Sequence, residues 1–201
     1  MFIIGVTGPS GAGKGTFSGI LVQEYGFEHI DTDQIAKETV PEVLDQLVAY
    51  FGPQILTPEK QLDRKSLAKE AFSTPQHTQA LNRITHPAIL NKIQSRLEQA
   101  KEDKKVGVVI DGAALIEANV LAWCHTSVAV IAERPTRLQR IINRDQISIE
   151  NAEIRLNGQK PDEYYIDKTA FTIYNNKKEE LEKQTQTLMR QLGFQKISKG
   201  V

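Results

Sequence analysis

The feature that most constrains this chain is a glycine-rich segment close to its first residue. Residues 8–16 read GPSGAGKGT and match the G-x-x-x-x-G-K frame, between an apolar run at residues 2–6 and a helical apolar pattern at residues 17–25. Glycines let the backbone turn closely enough for several N–H groups to face one phosphate, and the following helix adds its positive dipole end. The segment therefore predicts a strand, a phosphate-binding loop and a helix, with Lys14 as the point charge.

Composition narrows the classes of protein to which such a loop can belong. The chain has 201 residues with 25 basic and 25 acidic side chains, so its formal net charge is zero. It therefore lacks the overall positive field that is typical of proteins that bind nucleic acids or anionic membranes. Its single cysteine cannot form an intrachain disulfide, and no apolar run reaches the roughly 18 residues of a membrane span. We expect a cytoplasmic protein, a monomer or weak homo-oligomer, with no nucleic-acid or membrane partner.

Further apolar runs predict a parallel sheet. Strands are expected at residues 2–6, 27–30, 106–110, 127–132 and 169–174, and helical patterns lie between them or follow, as at 135–145 and 177–192. Strands that alternate with helices form parallel sheets that are covered on both faces. We predict an α/β fold of three layers, in which helices flank a parallel five-stranded sheet.

The stretch from residue 41 to residue 100 departs from this alternation, because its pattern is mainly helical. It is interrupted at Gly52-Pro53, Thr57-Pro58, Thr74-Pro75 and His86-Pro87, and such pairs commonly mark turns. We interpret this stretch as a helical insertion in the sheet fold.

Phosphate binding alone does not distinguish a kinase from a GTPase or an ATP-driven motor. The N-K-x-D motif that small GTPases use to read their base is absent from the sequence, and the length of the chain argues against a motor. Phosphoryl transfer to a hydroxyl needs a carboxylate at the carboxyl end of a neighbouring strand. Asp31 and Asp33 follow the second predicted strand, although either of them could instead cap the next helix.

The residue that follows the loop lysine bears on metal binding. A serine or threonine hydroxyl in that position typically helps to hold Mg²⁺, but here the position is Gly15 and a threonine, Thr16, comes one residue later. We expect Mg²⁺ to accompany the nucleotide and Thr16 to reach the metal, directly or through water.

Other residues with reactive side chains lack a pattern that indicates a site. His29, His77 and His125 are not spaced as metal ligands, so we expect them to be structural or solvent-exposed. Cys124 follows a tryptophan and is expected to pack as a small apolar residue.

The glycine-rich loop and several later segments, taken in their order along the chain, resemble the dephospho-coenzyme A kinase family over residues 4–176. Residues 30–36 read IDTDQIA and are similar to the family's "IDAD" signature. Residues 62–67 and 81–87 are similar to its acceptor-side region, and residues 137–145 and 152–159 to its lid. The resemblance implies a P-loop kinase fold with a core of about residues 1–40, 104–146 and 166–201, an acceptor-binding insertion of about 41–103 and a lid of about 147–165.

The same resemblance implies a reaction, which is the ATP-dependent phosphorylation of the ribose 3′-hydroxyl of dephospho-coenzyme A. Asp33 would be the general base, with Lys14 and Arg140 as catalytic cations. This agrees with the need for positive charge on several sides of a transferring phosphoryl group. The expected ATP-binding residues are Gly11, Ala12, Gly13, Lys14, Gly15, Thr16, Arg144 and Asn175. The expected acceptor-binding residues are Asp31, Arg64, His86 and Asp111.

Departures from the family pattern leave two alternatives open. Gly112-Ala113-Ala114 replaces a proline-dileucine segment after Asp111, Thr169-Ala170 replaces Ala-Asp, and the loop itself resembles that of cytidylate kinase. The alternatives are a nucleoside monophosphate kinase of the cytidylate type and a nucleotide-binding regulatory protein derived from a kinase. Lys14, Asp33 and Arg140 are all retained, which argues against a loss of catalysis.

Overall fold

The computed structural model describes residues 1–197, and over these residues it shows five strands and nine α-helices. The strands are β1 (Phe2–Thr7), β2 (Glu28–Asp31), β3 (Gly107–Asp111), β4 (Thr126–Ile131) and β5 (Phe171–Tyr174). The helices are α1 (Lys14–Tyr25), α2 (Thr32–Glu38), α3 (Val40–Phe51), α4 (Arg64–Ala71), α5 (Pro75–Glu102), α6 (Arg134–Asp145), α7 (Ile149–Asn157), α8 (Asp162–Ile166) and α9 (Lys178–Gln191). None of the helices in this range is both long and apolar enough to cross a membrane.

All five strands are parallel, in the order β2-β3-β1-β4-β5. The predicted parallel sheet is therefore confirmed, with strand ends that differ by one or two residues from those expected. The central strand β1 pairs with β3 on one side and with β4 on the other, so that Ile4 is the Cα partner of both Val109 and Thr126. Because all strands run the same way, their carboxyl ends share one edge of the sheet.

The core of the sheet is built from the branched side chains that suggested the strands. Helices α1 and α9 contribute Phe17, Leu21, Leu181 and Met189 to a buried apolar cluster on the sheet. The strands contribute Ile4, Val6, Val109, Val128, Val130 and Ile173. Burial of this set holds the carboxyl ends of β1, β3 and β4 in place, since close-packed interiors resist displacement.

The chain divides into two compact units. The sheet unit comprises Met1–Asp31 and the described residues from Ala100 onward, and the helical unit comprises Thr32–Gln99. The helical unit has its own apolar core, in which Val43, Leu47 and Phe51 of α3 are buried.

Two segments differ from the sequence-based expectation. The interruption predicted at His86-Pro87 is wrong, because α5 continues through Pro87. Proline lacks the N–H for an intrahelical bond, but Ala80 and Ile84 of the same helix pack into the helical core, and such packing can outweigh a local cost. The segment predicted only as polar, residues 148–165, contains α7 and most of α8, and the Ser148 hydroxyl caps α7 by accepting a bond from the Asn151 N–H at 3.3 Å.

Candidate active site

Three glycines of the loop between β1 and α1 have positive φ, namely Gly8, Gly11 and Gly13. Gly13 has φ 94° and a Cβ placed on it would lie 2.0 Å from Nδ2 of Asn175. Gly11 has φ 78°, and its Cβ would lie 2.7 Å from the carbonyl oxygen of Arg137. Glycine therefore allows the loop to lie directly against α6 and against the residue after β5.

Lys14 is the first residue of α1, and its side chain turns back over the loop. Its Nζ donates hydrogen bonds to the carbonyl oxygens of Gly8 at 3.0 Å and Pro9 at 3.3 Å. The ammonium group is thus held on the loop that the motif assigns to phosphate binding.

Arg140 and Asn175 reach the same loop from other elements. The guanidinium of Arg140, on α6, donates to the carbonyl oxygens of Gly11 and Ala12, each at 3.3 Å. Asn175 is 3% exposed and donates from Nδ2 to the same Ala12 oxygen at 2.8 Å. Burial lowers the pKa of Arg140 from its ordinary value. Lys14 and Asn175, which were predicted to bind ATP, and Arg140, which was predicted as a catalytic cation, therefore all contact this loop.

The predicted lid contacts the loop through Ser10. The Ser10 N–H donates to Oε1 of Gln159 at 2.7 Å, and Arg144 donates to the Ser10 hydroxyl at 3.4 Å. The Asp145 carboxylate forms two ion pairs. Its Oδ1 lies 2.7 Å from Nε of Arg144, and its Oδ2 lies 2.5 Å from a guanidinium nitrogen of Arg155. The hydrogen bond from Arg144 is the main cause that lowers the pKa of Asp145. This ion-pair network connects α6 and α7 beside the loop.

A buried carboxylate stands at the end of β3. Asp111 is 7% exposed, and its Oδ2 accepts a hydrogen bond from the Ser18 hydroxyl at 3.0 Å and lies 3.6 Å from Nε2 of His29. The hydrogen bond to Asp111 is the main cause that raises the pKa of His29, and burial opposes it. Asp31 is the Cα partner of Asp111 in the sheet, so two acidic residues end neighbouring strands.

Ser18 and His29 were not assigned to a site from the sequence. The available signals were their spacings: Ser18 lies one helical turn after Lys14, and His29 lies two residues before Asp31 on the same side of a strand. Neither spacing identifies a partner, since Asp111 is distant in the sequence.

The helical unit holds the other predicted residues. Asp33 on α2 and Arg64 at the start of α4 line a cavity of about 320 Å³, together with Lys37. The rest of its lining is mainly apolar and includes Val40, Val43, Leu47, Leu62, Leu67, Leu81 and Ile89. His86 lies on α5 and is partly buried. The structure thus brings Asp33 and Arg64 to one apolar cavity with charged residues in its lining.

Other side chains bear on metal binding and reactivity. Among residues 1–197, no group of three or more His, Cys, Asp or Glu side chains could hold a metal ion. Thr16 is exposed on α1. Burial raises the pKa of the Cys124 thiol to about 12, so this cysteine is not activated as a nucleophile.

Known proteins of similar sequence and structure identify the family of this chain. The dephospho-CoA kinase family model matches residues 2–181. A dephospho-CoA kinase of Moorella thermoacetica is 41% identical over 163 residues, which cover 79% of this chain and 76% of that protein. One from Geobacter metallireducens is 35% identical over 195 residues, which cover 95% and 96%. The crystal structure of TT1252 from Thermus thermophilus superposes with a TM-score of 0.82 at 26% identity, covering 95% of this chain and 97% of that one. A phosphate loop contacted by Lys14, Arg140 and Asn175, together with these matches along nearly the whole chain, shows that this protein belongs to the dephospho-CoA kinase family.

Proposed function

We propose that this protein transfers the γ-phosphoryl group of ATP to the ribose 3′-hydroxyl of dephospho-coenzyme A, which gives coenzyme A and ADP. The single observation that carries the proposal is the match to dephospho-CoA kinases over residues 2–181. The contacts of Lys14, Arg140 and Asn175 with the loop support the kinase chemistry. The cytidylate-kinase and regulatory alternatives are less favoured, because the family match extends well beyond the loop.

In this proposal the loop and its neighbours bind ATP. The amides of residues 11–16 and the start of α1 receive the phosphates, and Lys14 supplies a charge to the β and γ phosphates. Arg140 and Arg144, both on α6, add positive charge from a second direction. Charge that spreads over the equatorial oxygens during transfer is then stabilised by cations already in place.

Asp33 is the proposed general base. Its carboxylate takes the proton of the 3′-hydroxyl as the oxygen attacks the γ-phosphorus, and ADP leaves with the electron pair of the broken bond. Arg64 shares a cavity with Asp33 and would bind an anionic part of the acceptor, and Asp31, His86 and Asp111 would complete the acceptor site.

Mg²⁺ is included with ATP in this proposal. Oxygen atoms are its preferred ligands, and it usually keeps several waters while it binds substrate phosphates. The Thr16 hydroxyl and the Asp111 carboxylate fit this preference by their chemistry. When bound with ATP, Mg²⁺ neutralises charge on the β and γ oxygens.

The organisation predicted from the sequence is part of the same proposal. The core comprises about residues 1–40, 104–146 and 166–201, of which residues 198–201 lie outside the described residues. Residues 41–103 form the acceptor-binding insertion, and residues 147–165 form the lid. A cytoplasmic location and a monomer or weak homo-oligomer stay predictions.

The proposal is tested by a phosphoryl-transfer assay of the purified protein with Mg²⁺-ATP and, in parallel, dephospho-coenzyme A, CMP and AMP. We expect kcat/KM to be highest for dephospho-coenzyme A. Asp33→Asn should lower kcat by about 10²–10⁴-fold, the usual contribution of a positioned base, while the affinity for ATP is retained. Asp31→Asn serves as the comparison and should affect kcat less. Preference for CMP or AMP would overturn the acceptor, and no turnover with any acceptor would favour the regulatory alternative.

A further inference from the structure

The outermost strand beside β4 has an open edge that one side chain of α9 covers. Strand β5 is the last strand on this side of the sheet, so its outer edge has no strand partner among the described residues. The Asn175 N–H donates to the Ile131 carbonyl oxygen of β4 at 2.7 Å. Because neighbouring residues of a strand point their backbone groups to opposite sides, the N–H and C=O of Tyr174 face the open edge.

Gln184 takes the place of a strand partner at this edge. Its Oε1 accepts a hydrogen bond from the Tyr174 N–H at 2.9 Å, and its Nε2 donates to the Tyr174 carbonyl oxygen at 2.7 Å. Nε2 also donates to the Glu180 carbonyl oxygen at 3.1 Å. A side-chain amide carries both an acceptor and two donors, and here all three are used, which fixes its orientation.

The helix that carries Gln184 is itself fixed on the sheet. Leu181 and Leu188 lie three residues before and four residues after Gln184, on the same face of α9. Both are buried in the apolar cluster of the sheet. The Gln184 side chain therefore extends from a backbone that close packing holds in place, and it can hold the end of β5 in turn.

The end of β5 leads directly into the phosphate-loop contacts. Asn175 follows Tyr174, is 3% exposed, and donates from Nδ2 to the Ala12 carbonyl oxygen at 2.8 Å. Tyr174 and Asn175 share a peptide unit, so a displacement of one moves the other. Hydrogen bonds weaken steeply away from their preferred geometry, and a displaced Tyr174 would therefore weaken the contact between Asn175 and the loop.

We propose that Gln184 is a positioning residue for nucleotide binding, which pairs with Tyr174 at the open edge of β5 and thereby holds Asn175 against the phosphate loop. This inference rests on the proposed binding of ATP by that loop and does not depend on the acceptor. A positioning role differs from a merely structural one, because loss of the amide then changes the affinity for the nucleotide as well as the melting temperature.

The experiment measures the affinity for a non-hydrolysable ATP analogue with Mg²⁺, by calorimetry without any acceptor and well below the melting temperature. Gln184→Met keeps a side chain of similar length without the amide. It should raise the dissociation constant by about 2–10-fold, which corresponds to one net hydrogen bond. Gln184→Glu should raise it at least as much at pH 8, because its ionised carboxylate faces two carbonyl oxygens. An unchanged dissociation constant in Gln184→Met, with or without a lower melting temperature, would overturn the proposal.

Gln186→Met is the matched control. Gln186 lies two residues further along α9 and is exposed, so this variant makes the same chemical change in the same helix. It should leave the dissociation constant unchanged. If Gln186→Met weakened binding as much as Gln184→Met, the effect would come from the helix rather than from the contact with Tyr174, and the proposal would be wrong.

Two double variants test whether Gln184 acts through Asn175. In an Asn175→Ala background the loop contact is already lost, so Gln184→Met should weaken binding little further. In an Arg144→Ala background Gln184→Met should keep its full effect, because Arg144 reaches the loop from α6 through Ser10. The same effect in both backgrounds would contradict a route through Asn175.

Steady-state kinetics of the proposed reaction give a second readout. Gln184→Met should raise KM for ATP and leave kcat at saturating ATP nearly unchanged, since Gln184 acts only through other residues. A lower kcat with an unchanged KM for ATP would refute the positioning role. An unmodified protein that binds the analogue but phosphorylates no acceptor would refute only the proposed function, whereas failure to bind the analogue would refute both.

Discussion

Gly13→Ala should damage the phosphate loop through a contact that is specific to this fold. Gly13 has φ 94°, and a Cβ on it would lie 2.0 Å from Nδ2 of Asn175. An L-residue in the left-handed region costs about 1–2 kcal/mol. The clash also forces Asn175 away from the Ala12 oxygen, to which its Nδ2 donates at 2.8 Å. The buried Asn175 amide then lacks this acceptor, and a buried polar group that loses its partner costs about 1–3 kcal/mol.

These two effects together predict a loss of about 2–5 kcal/mol in the free energy of unfolding. For a chain of this size each kcal/mol shifts the melting temperature by about 2–4 °C. Thermal unfolding followed by circular dichroism measures the shift, and calorimetry with ATP should show weaker binding because the loop is displaced.

Gly19→Ala is the matched control. Gly19 lies within α1, and a Cβ placed there meets nothing within 4 Å among the described residues. Alanine in a helix interior is favoured over glycine by about 0.5–1 kcal/mol, so this variant should melt at the same or a higher temperature. In an Asn175→Ala background the clash at Gly13 is removed, and Gly13→Ala should then cost only its backbone strain. The reasoning would be refuted if Gly13→Ala and Gly19→Ala changed the melting temperature equally. It would also be refuted if Gly13→Ala cost as much stability in the Asn175→Ala background as in the unmodified protein.

Three further predictions concern charge, capping and reactivity. Arg144 and Arg155 lower the pKa of Asp145 in the folded protein. Its carboxylate therefore stabilises the fold at pH values above the ordinary pKa of about 4. This stabilisation is lost as the pH falls through the lower pKa that Asp145 has in the folded protein. Urea unfolding of the unmodified protein and of Asp145→Asn from pH 6 to pH 3 measures the loss. Asp63 caps α4 by accepting bonds from two backbone N–H groups, so Asp63→Ala should lower the melting temperature more than Asp63→Asn, which keeps an accepting oxygen. Cys124, with its pKa raised to about 12, should react with a disulfide reagent at pH 8 much more slowly in the folded protein than in urea.

Each of these predictions has a result that would contradict it. The pH dependence of unfolding should differ between the unmodified protein and Asp145→Asn, and parallel curves would show that the ion pairs add no pH-dependent stability. Identical melting temperatures of Asp63→Ala and Asp63→Asn would show that the side-chain cap at residue 63 does not stabilise α4. Equal thiol reactivity in folded and unfolded protein would mean that Cys124 is not protected by burial.

The strands were predictable because buried parallel strands have continuous runs of branched side chains that are visible locally. The break at His86-Pro87 was not correctly predicted, because the local preference of proline is outweighed by packing of α5 in the helical core. The helix α7 in the polar segment was missed as an element, although Ser148 at its start carries the cap that begins it.

The candidate site also has some residues that the sequence predicted and others that it did not. The motif named the loop, Lys14 and Gly15, since a phosphate loop depends on neighbouring residues and on the order of strand and helix. The position after the second strand named Asp31 and Asp33, and the family resemblance named Arg140 and Asn175 without giving their surroundings. Ser18 and His29 could not be connected with Asp111 from the sequence, because nothing local indicates which distant carboxylate they face.

The sequence by itself determined the strand, the glycine loop and the helix that follows it, because the glycines, the lysine and the apolar spacing act over a few residues. Only the tertiary structure decided that Asn175 and Arg140 meet the loop and that Asp111 faces Gly15. The physical reason is strand order: β1 lies between β3 and β4, with β5 beside β4. This order is set by pairing and packing between distant segments. It brings to one edge of the sheet the carboxyl ends of the strands that end in these residues or precede the helices that carry them.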